Sequence, residues 1–219
     1  MARALAAAGV RVFLIGRSAA RLERTARRIG PRRVLGRQVC RLESVPELRR
    51  LARGIASRTR RVDILVHCAG QHAFTGRGAA DAQAFDELFA VNVRAPYLLT
   101  AALLPQLARA RGLVVFVNSS VVRNSGEGVA LYKASKQALQ GFADSVRQDL
   151  NRRGVRAVSL YPGRTATPSM RRIYAHEGRP YRPRWLLRPQ DLADLVRSLS
   201  ELPAGMEVTD VFVRSAVPY

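Results

Sequence analysis

The chain has 219 residues, 47% of them hydrophobic, which suits one α/β domain with a sizeable core. It shows no internal repeat, which argues against a solenoid, and no uninterrupted apolar stretch of the roughly eighteen residues that would span a bilayer. The net charge of +21 comes from 37 basic residues, of which only Lys133 and Lys136 are lysines.

In chain order, residues 2–8 read as a helix stopped by Gly9, and Val10 to Ile15 as a strand. Ala19 to Ile29 is an amphipathic helix closed by Gly30-Pro31, followed by a short strand at Val34 to Val39. Val45 to Arg58 is a helix with Ser44 as its N-cap, and Val62 to His67 is a third strand. A polar loop covers residues 70–80, and residues 81–90 and 93–110 read as helices. Leu113 to Val117 is a continuous apolar run ending in Asn118-Ser119-Ser120, as expected of a strand buried on both faces. A helix carries Tyr132-Lys133-Ala134-Ser135-Lys136, and a second buried run, Val155 to Tyr161, ends in Pro162-Gly163. Residues 164–188 are a Pro- and Arg-rich connection, Gln190 to Ser200 a helix and Val208 to Val213 a last strand. Strands alternating with helices imply right-handed crossovers and a mostly parallel sheet in a single domain spanning 1–219.

The Tyr132 and Lys136 side chains share one helix face, because positions i and i+4 are neighbours. A nearby ammonium favours the phenolate. Poising a phenol of pKa ~10 near neutrality takes about three units, roughly 4 kcal/mol. Hydroxyls, Gly and Pro at several strand ends belong where open α/β sheets place their sites, beyond the carboxyl ends of the strands.

These motifs, in this order, resemble the short-chain dehydrogenase/reductase family from about residue 2 onward. The resemblance rests on Tyr132 with Lys136, a strand-end serine before them, Asn92 in Phe89-Ala90-Val91-Asn92-Val93, and Pro162-Gly163 followed by Thr165 and Thr167. It implies a Rossmann-like three-layer fold and hydride transfer between a nicotinamide cofactor and a carbonyl/alcohol pair. Tyr132 is then the proton donor, Lys136 lowers its pKa and holds the nicotinamide ribose, and Asn92 anchors a water of the proton relay. Ser120 is expected to hold the substrate oxygen, with Ser119 the alternative if the adjacent loop is one residue shorter. The cofactor contacts implied are Arg17, Ser18, Ala69, Gly70, Asn92, Tyr132, Lys136, Pro162, Gly163 and Thr165. Gly16-Arg17-Ser18 carries a guanidinium where an acidic side chain would bind the ribose hydroxyls of NAD, so NADP(H) is expected over NAD(H).

Three departures accompany the resemblance. His67-Cys68-Ala69-Gly70 stands where the family has Asn-Asn-Ala-Gly, and Arg41 or a neighbour stands where an aspartate approaches the adenine. The family's first strand and its Thr-Gly-x-x-x-Gly-x-Gly turn would precede residue 2, so the expected sheet lacks its first central strand in this chain. That strand would bury five or six side chains worth on the order of 10 kcal/mol, and its absence leaves edges unpaired. Either Met1 lies downstream of the true start or the gene is truncated, and the upstream DNA separates the two.

Residues 164–188 are expected to form the substrate lid, with Tyr174, Tyr181 and Trp185 among seven arginines. No metal site is expected, and Cys40 and Cys68 show neither metal spacing nor a disulfide framework, so a cytoplasmic location is the default. A homodimer or homotetramer is implied by the resemblance. Scattered arginine reads as coding bias rather than as a nucleic-acid surface, and no zinc-finger, aromatic RNA-binding or basic-zipper pattern accompanies it. A non-catalytic dinucleotide-fold protein and a basic nucleic-acid binder stand as the competing readings.

Overall fold

The computed structural model of the chain describes residues 1–72, 81–123 and 128–217. Most of the loop expected over residues 70–80 lies outside them. Six strands are formed among the described residues: β1 (Val12–Gly16), β2 (Val34–Val39), β3 (Ile64–His67), β4 (Leu113–Val117), β5 (Arg156–Pro162) and β6 (Asp210–Val213). The helices are α1 (Ala2–Ala7), α2 (Ala19–Ile29), α3 (Val45–Ala56), α4 (Ala82–Phe89), α5 (Ala95–Ala110), α6 (Ala130–Asn151), α7 (Pro168–His176) and α8 (Pro189–Ser200). Side-chain oxygens of Ser18, Ser44, Asp81 and Thr167 accept from the first-turn amides of α2, α3, α4 and α7. Each such cap contributes about 1 kcal/mol and fixes where its helix starts.

All strand pairings are parallel, in two blocks: β1 with β2, and β3-β4-β5-β6. No pairing joins β1 to β3, yet the two blocks share the same layers. Val12 and Leu14 of β1 pack in one core with Val115, Val158 and Leu160 under α1, α2 and α8. Phe13 points to the opposite face and packs against the core of Leu51, Leu103, Phe116 and Leu139 beneath α3, α5 and α6. The two blocks thus share the core layers on both faces.

Two expectations change. The Pro- and Arg-rich connection is not irregular throughout, because Pro168–His176 forms α7 behind its Thr167 cap. The helices on either side of Asn92 are not separate. A π-helical turn, Ala90–Arg94, joins α4 to α5, giving a run of 29 residues, Ala82–Ala110, that contains an 18-residue window of mean hydropathy 1.3. By length and composition that run could cross a membrane. Half of its apolar window is buried within the protein, where Leu99, Leu103 and Leu107 serve the core.

Candidate active site

The carboxyl ends of β3, β4 and β5 converge with α6 and the π-helical turn. Turns of this type commonly mark functional positions in helices. Here the turn carries Asn92, which is fully buried. Its amide nitrogen donates to the Gln71 carbonyl at 3.0 Å and to Ser135 Oγ at 3.0 Å, and its oxygen accepts from Gln71 N–H at 2.9 Å. Gly70 lies alongside: a Cβ there would meet Asn92 Oδ1 at 3.5 Å and Lys136 Nζ at 3.6 Å. Both are ordinary van der Waals distances, so the Gly70 backbone lies beside the two polar groups without crowding them.

Lys136 is 4% exposed, and its Nζ donates to the Val117 carbonyl at 2.9 Å. Burial pushes its ammonium down to about 8. Nζ sits 5.9 Å from the centroid of the Tyr132 ring, one helical turn earlier. Burial raises the Tyr132 phenol above its ordinary value, and a hydrogen bond with Ser119 draws it partly back. The expected lowering by Lys136 is therefore not what the chain's own groups produce. Its ammonium is directed at a backbone carbonyl and is itself held toward neutrality.

The serine that reaches Tyr132 is Ser119. Ser120 instead begins a short 3₁₀ turn, Ser120–Val122, whose cap is Ser119 Oγ accepting from Val121 N–H at 3.2 Å. Asn118 sets this geometry. Its oxygen accepts from Ser119 N–H at 2.9 Å, and its amide nitrogen donates to the Lys136 carbonyl at 3.0 Å, tying the end of β4 to α6. Of the two serines the sequence leaves open, Ser119 is the one placed beside Tyr132.

The remaining predicted positions fall around this centre. Arg17 is exposed at the end of β1, and Ser18 spends its hydroxyl on the α2 cap. Arg41 is bound to Glu47 through its backbone N–H at 2.7 Å and Nε at 2.8 Å. Pro162 ends β5, and Gly163 N–H donates to the Val213 carbonyl at 2.7 Å. Thr165 Oγ1 turns back to the Gly163 carbonyl at 3.0 Å rather than outward.

His72, which sequence reasoning passed over, brings the lid to the centre. Its ring lies 4.6 Å from that of Tyr132, tilted by 42°. It also interacts electrostatically with Glu177, at the end of α7, and with His176. Glu177 is gripped by Arg164 in a two-point pair, both distances 2.7 Å. Asn118 and Ser135 were missed as well, because their parts are hydrogen bonds to backbone and to Asn92 that no spacing announces.

His67, the replacement for the family's first asparagine, is 8% exposed and hydrogen-bonds Thr100 Oγ1 through Nε2 at 2.8 Å. Its ring stacks on Phe116, 5.3 Å away. Burial pushes its pKa down to about 3. Between the unfolded value of ~6.5 and 3, the unfolded chain binds a proton that the folded one does not. The stability His67 permits is full above about pH 6.5 and is lost as pH falls toward 3. On the order of 2–3 kcal/mol should go between pH 7 and 4.5. His67→Asn keeps a partner for Thr100 without titrating, so its urea-derived stability should fall less than wild type's over that range.

Comparison with known proteins identifies the fold and the family. The chain is 30% identical over 210 residues to a short-chain type dehydrogenase/reductase of Sinorhizobium fredii, covering 94% of this chain and 81% of that one. It is 28% identical to a protein of Streptomyces violaceoruber named as a ketoacyl reductase of the granaticin polyketide synthase, covering 100% and 80%. The structure superposes on an alcohol dehydrogenase from the archaeon Thermococcus sibiricus, complexed with 5-hydroxy-NADP, with a TM-score of 0.86 at 25% identity, covering 100% of this chain and 91% of that one. A metagenomic short-chain oxidoreductase in complex with NADP gives 0.82 at 27% identity, covering 99% and 90%. Because the sequence model of the short chain dehydrogenases matches residues 1–178, on a Rossmann-like parallel α/β fold, the chain belongs to the short chain dehydrogenase family.

Proposed function

We propose that the protein is an NADP(H)-dependent oxidoreductase acting on a carbonyl/alcohol pair, with Tyr132 as general acid/base. The observation that carries this is the Tyr132 ring set 5.9 Å from buried Lys136 Nζ, with Ser119 and buried Asn92 at the same centre. NADPH supplies the hydride for the carbonyl carbon. Tyr132 supplies the proton to the oxygen that takes up the carbonyl's π electrons, and Ser119 steadies that oxygen. A phenol whose pKa is raised stays protonated at neutral pH and can donate. Asn92 holds the backbone at Gln71 in place, leaving Gly70 flat against Lys136. Lys136 and Gly163 border the nicotinamide end, and Arg17 the ribose phosphate.

Ketoacyl compounds are the first substrates to try, because the Streptomyces relative is named for them. Association into a homodimer is the accompanying reading. Phe85 and Tyr97 are 46% and 53% exposed on α4 and α5, and Tyr97 meets Phe142 of α6 edge-on at 5.6 Å. Exposed aromatic side chains of this kind are what partners cover.

Arg17 tests the cofactor half of the proposal. Loss of a charge-assisted pair with a 2′-phosphate costs about 1.5–3 kcal/mol, or roughly 10–100-fold. Arg17→Asp should raise the KM for NADPH by that factor while leaving NADH unchanged or improved. Equal KM values for the two cofactors in the wild type would count against Arg17 as the phosphate reader.

A further inference from the structure

Arg123 ends the 3₁₀ turn that begins just after Ser119, and its guanidinium reaches from that turn to the last strand. Its Cζ lies 3.4 Å from the centroid of the Phe212 ring on β6. Phe212 is paired in register with Tyr161 of β5, and their two rings stack 4.1 Å apart with 4° between the planes. Tyr161 takes one face of Phe212, so the guanidinium takes the other. A guanidinium over a ring face is drawn to the ring's negative quadrupole, and its flat shape suits such stacking.

The platform beneath Arg123 is fixed. Tyr161 is fully buried, and its hydroxyl donates to Asp210 Oδ1 at 2.8 Å. Arg147 of α6 lies 3.9 Å from the same carboxylate and donates to the Ala157 carbonyl at 3.4 Å. The turn is held less firmly by its own bonds. Val121 N–H reaches Ser119 Oγ at 3.2 Å, Val122 N–H the Ser119 carbonyl at 3.3 Å, and Arg123 N–H the Ser120 carbonyl at 3.1 Å. These distances lie toward or past the long end of the ordinary range. Asn118 ties the start of the turn to α6. Arg123 ties its end, and among the described residues it has no carboxylate partner to compete with the ring.

We propose that Arg123 is a positioning residue: lying on Phe212, it locks the turn and so keeps the Ser119 hydroxyl at Tyr132. The proposal rests on the hydride-transfer reading and adds what holds the serine in place. Both the hydroxyl and the carbonyl of Ser119 are partners in the turn, so a turn that opens at Arg123 releases the serine. Arg123 acts through Ser119 and takes no part in the chemistry, so its effect belongs in kcat.

Two measurements on the same preparations test this. Hydrogen exchange of the backbone amides over residues 119–123 reads the turn without turnover. Steady-state reduction of acetoacetyl-N-acetylcysteamine, a neutral ketoacyl thioester, with NADPH reads the serine. Arg123→Gln should speed exchange over residues 119–123 about fivefold and lower kcat by about the same factor, the order an exposed cation–π contact supports, with KM within about twofold. Arg123→Lys, which keeps a cation for the ring, should recover most of both. In a Ser119→Ala background, Arg123→Gln should lower kcat no further, because the group it positions is gone. Phe212→Leu should match Arg123→Gln in exchange, and combining the two should add nothing. If Phe212→Leu does not fold, the two Arg123 variants and the serine background carry the test.

Unchanged exchange in Arg123→Gln overturns the proposal, as does a further loss of kcat in the Ser119→Ala background. A loss confined to KM also overturns it, by placing the guanidinium on substrate or cofactor. Failure of the hydride-transfer reading is separately visible: Tyr132→Phe would then reduce the thioester at the wild-type rate, while the exchange results still reported on the turn.

Discussion

Tyr132→Phe should lower kcat for carbonyl reduction by about 10²–10⁴-fold, the range a positioned proton donor contributes. The substitution removes one oxygen and keeps the ring, so the packing against His72 and above Lys136 survives. The hydroxyl's partner, Ser119 Oγ, keeps its bond from Val121 N–H. KM and thermal unfolding should accordingly change little. A loss confined to kcat separates a chemical role from a packing role, since a tyrosine that merely fills space would lose stability and not turnover. Steady-state rates and a melting curve on the same preparations decide it.

Ser119→Ala should lower kcat by about 10–100-fold, while Ser120→Ala should stay within about threefold of wild type. A hydrogen bond to an oxygen that gains charge is worth about 1.5–3 kcal/mol, which sets the first figure. The contrast between the neighbours follows from the backbone. Asn118 binds Ser119 N–H and the Lys136 carbonyl, so Ser119 is the last residue held to α6 before the chain turns. Ser120 starts that turn and makes no bond with Tyr132 that matches Ser119's. Equal losses in the two variants would mean that the turn as a whole matters, and not one hydroxyl.

The two serines also mark how far the chain is legible from its residues. Buried parallel strands announce themselves as unbroken apolar runs. The Leu113–Val117 and Arg156–Pro162 strands fall where those runs are, and the Ala19–Ile29 and Val34–Val39 elements match to the residue. The i, i+4 spacing of Tyr132 and Lys136 translates directly into one helix face. What did not translate depends on contacts between distant segments. Which serine meets Tyr132 is fixed by Asn118 across 18 residues, and Asn92 is clamped by Gln71 across 21. His72 joins the site through the packing of its ring on that of Tyr132, a contact between distant segments. The direction of the Tyr132 shift was misjudged for a related reason. Spacing reports the proximity of an ammonium but not its burial, and burial here acts on both groups. The π-helical turn at Asn92 was likewise read as a break, although its flanking residues are apolar and the helix runs through it.

The alternation of strands and helices translated into parallel pairing throughout, and β1 and β3 stand in shared layers without bonding to one another.

The most direct test of the central claim is the fate of the hydride. Acetoacetyl-N-acetylcysteamine should be incubated with NADPH carrying two deuterium atoms at the nicotinamide C4, and the alcohol analysed by mass spectrometry and NMR. The site described here predicts an alcohol with one deuterium on the carbinol carbon and a solvent proton on its oxygen, and almost none of it when Tyr132→Phe replaces the wild type. An alcohol formed without deuterium at that carbon, or formed equally fast by Tyr132→Phe, would contradict it.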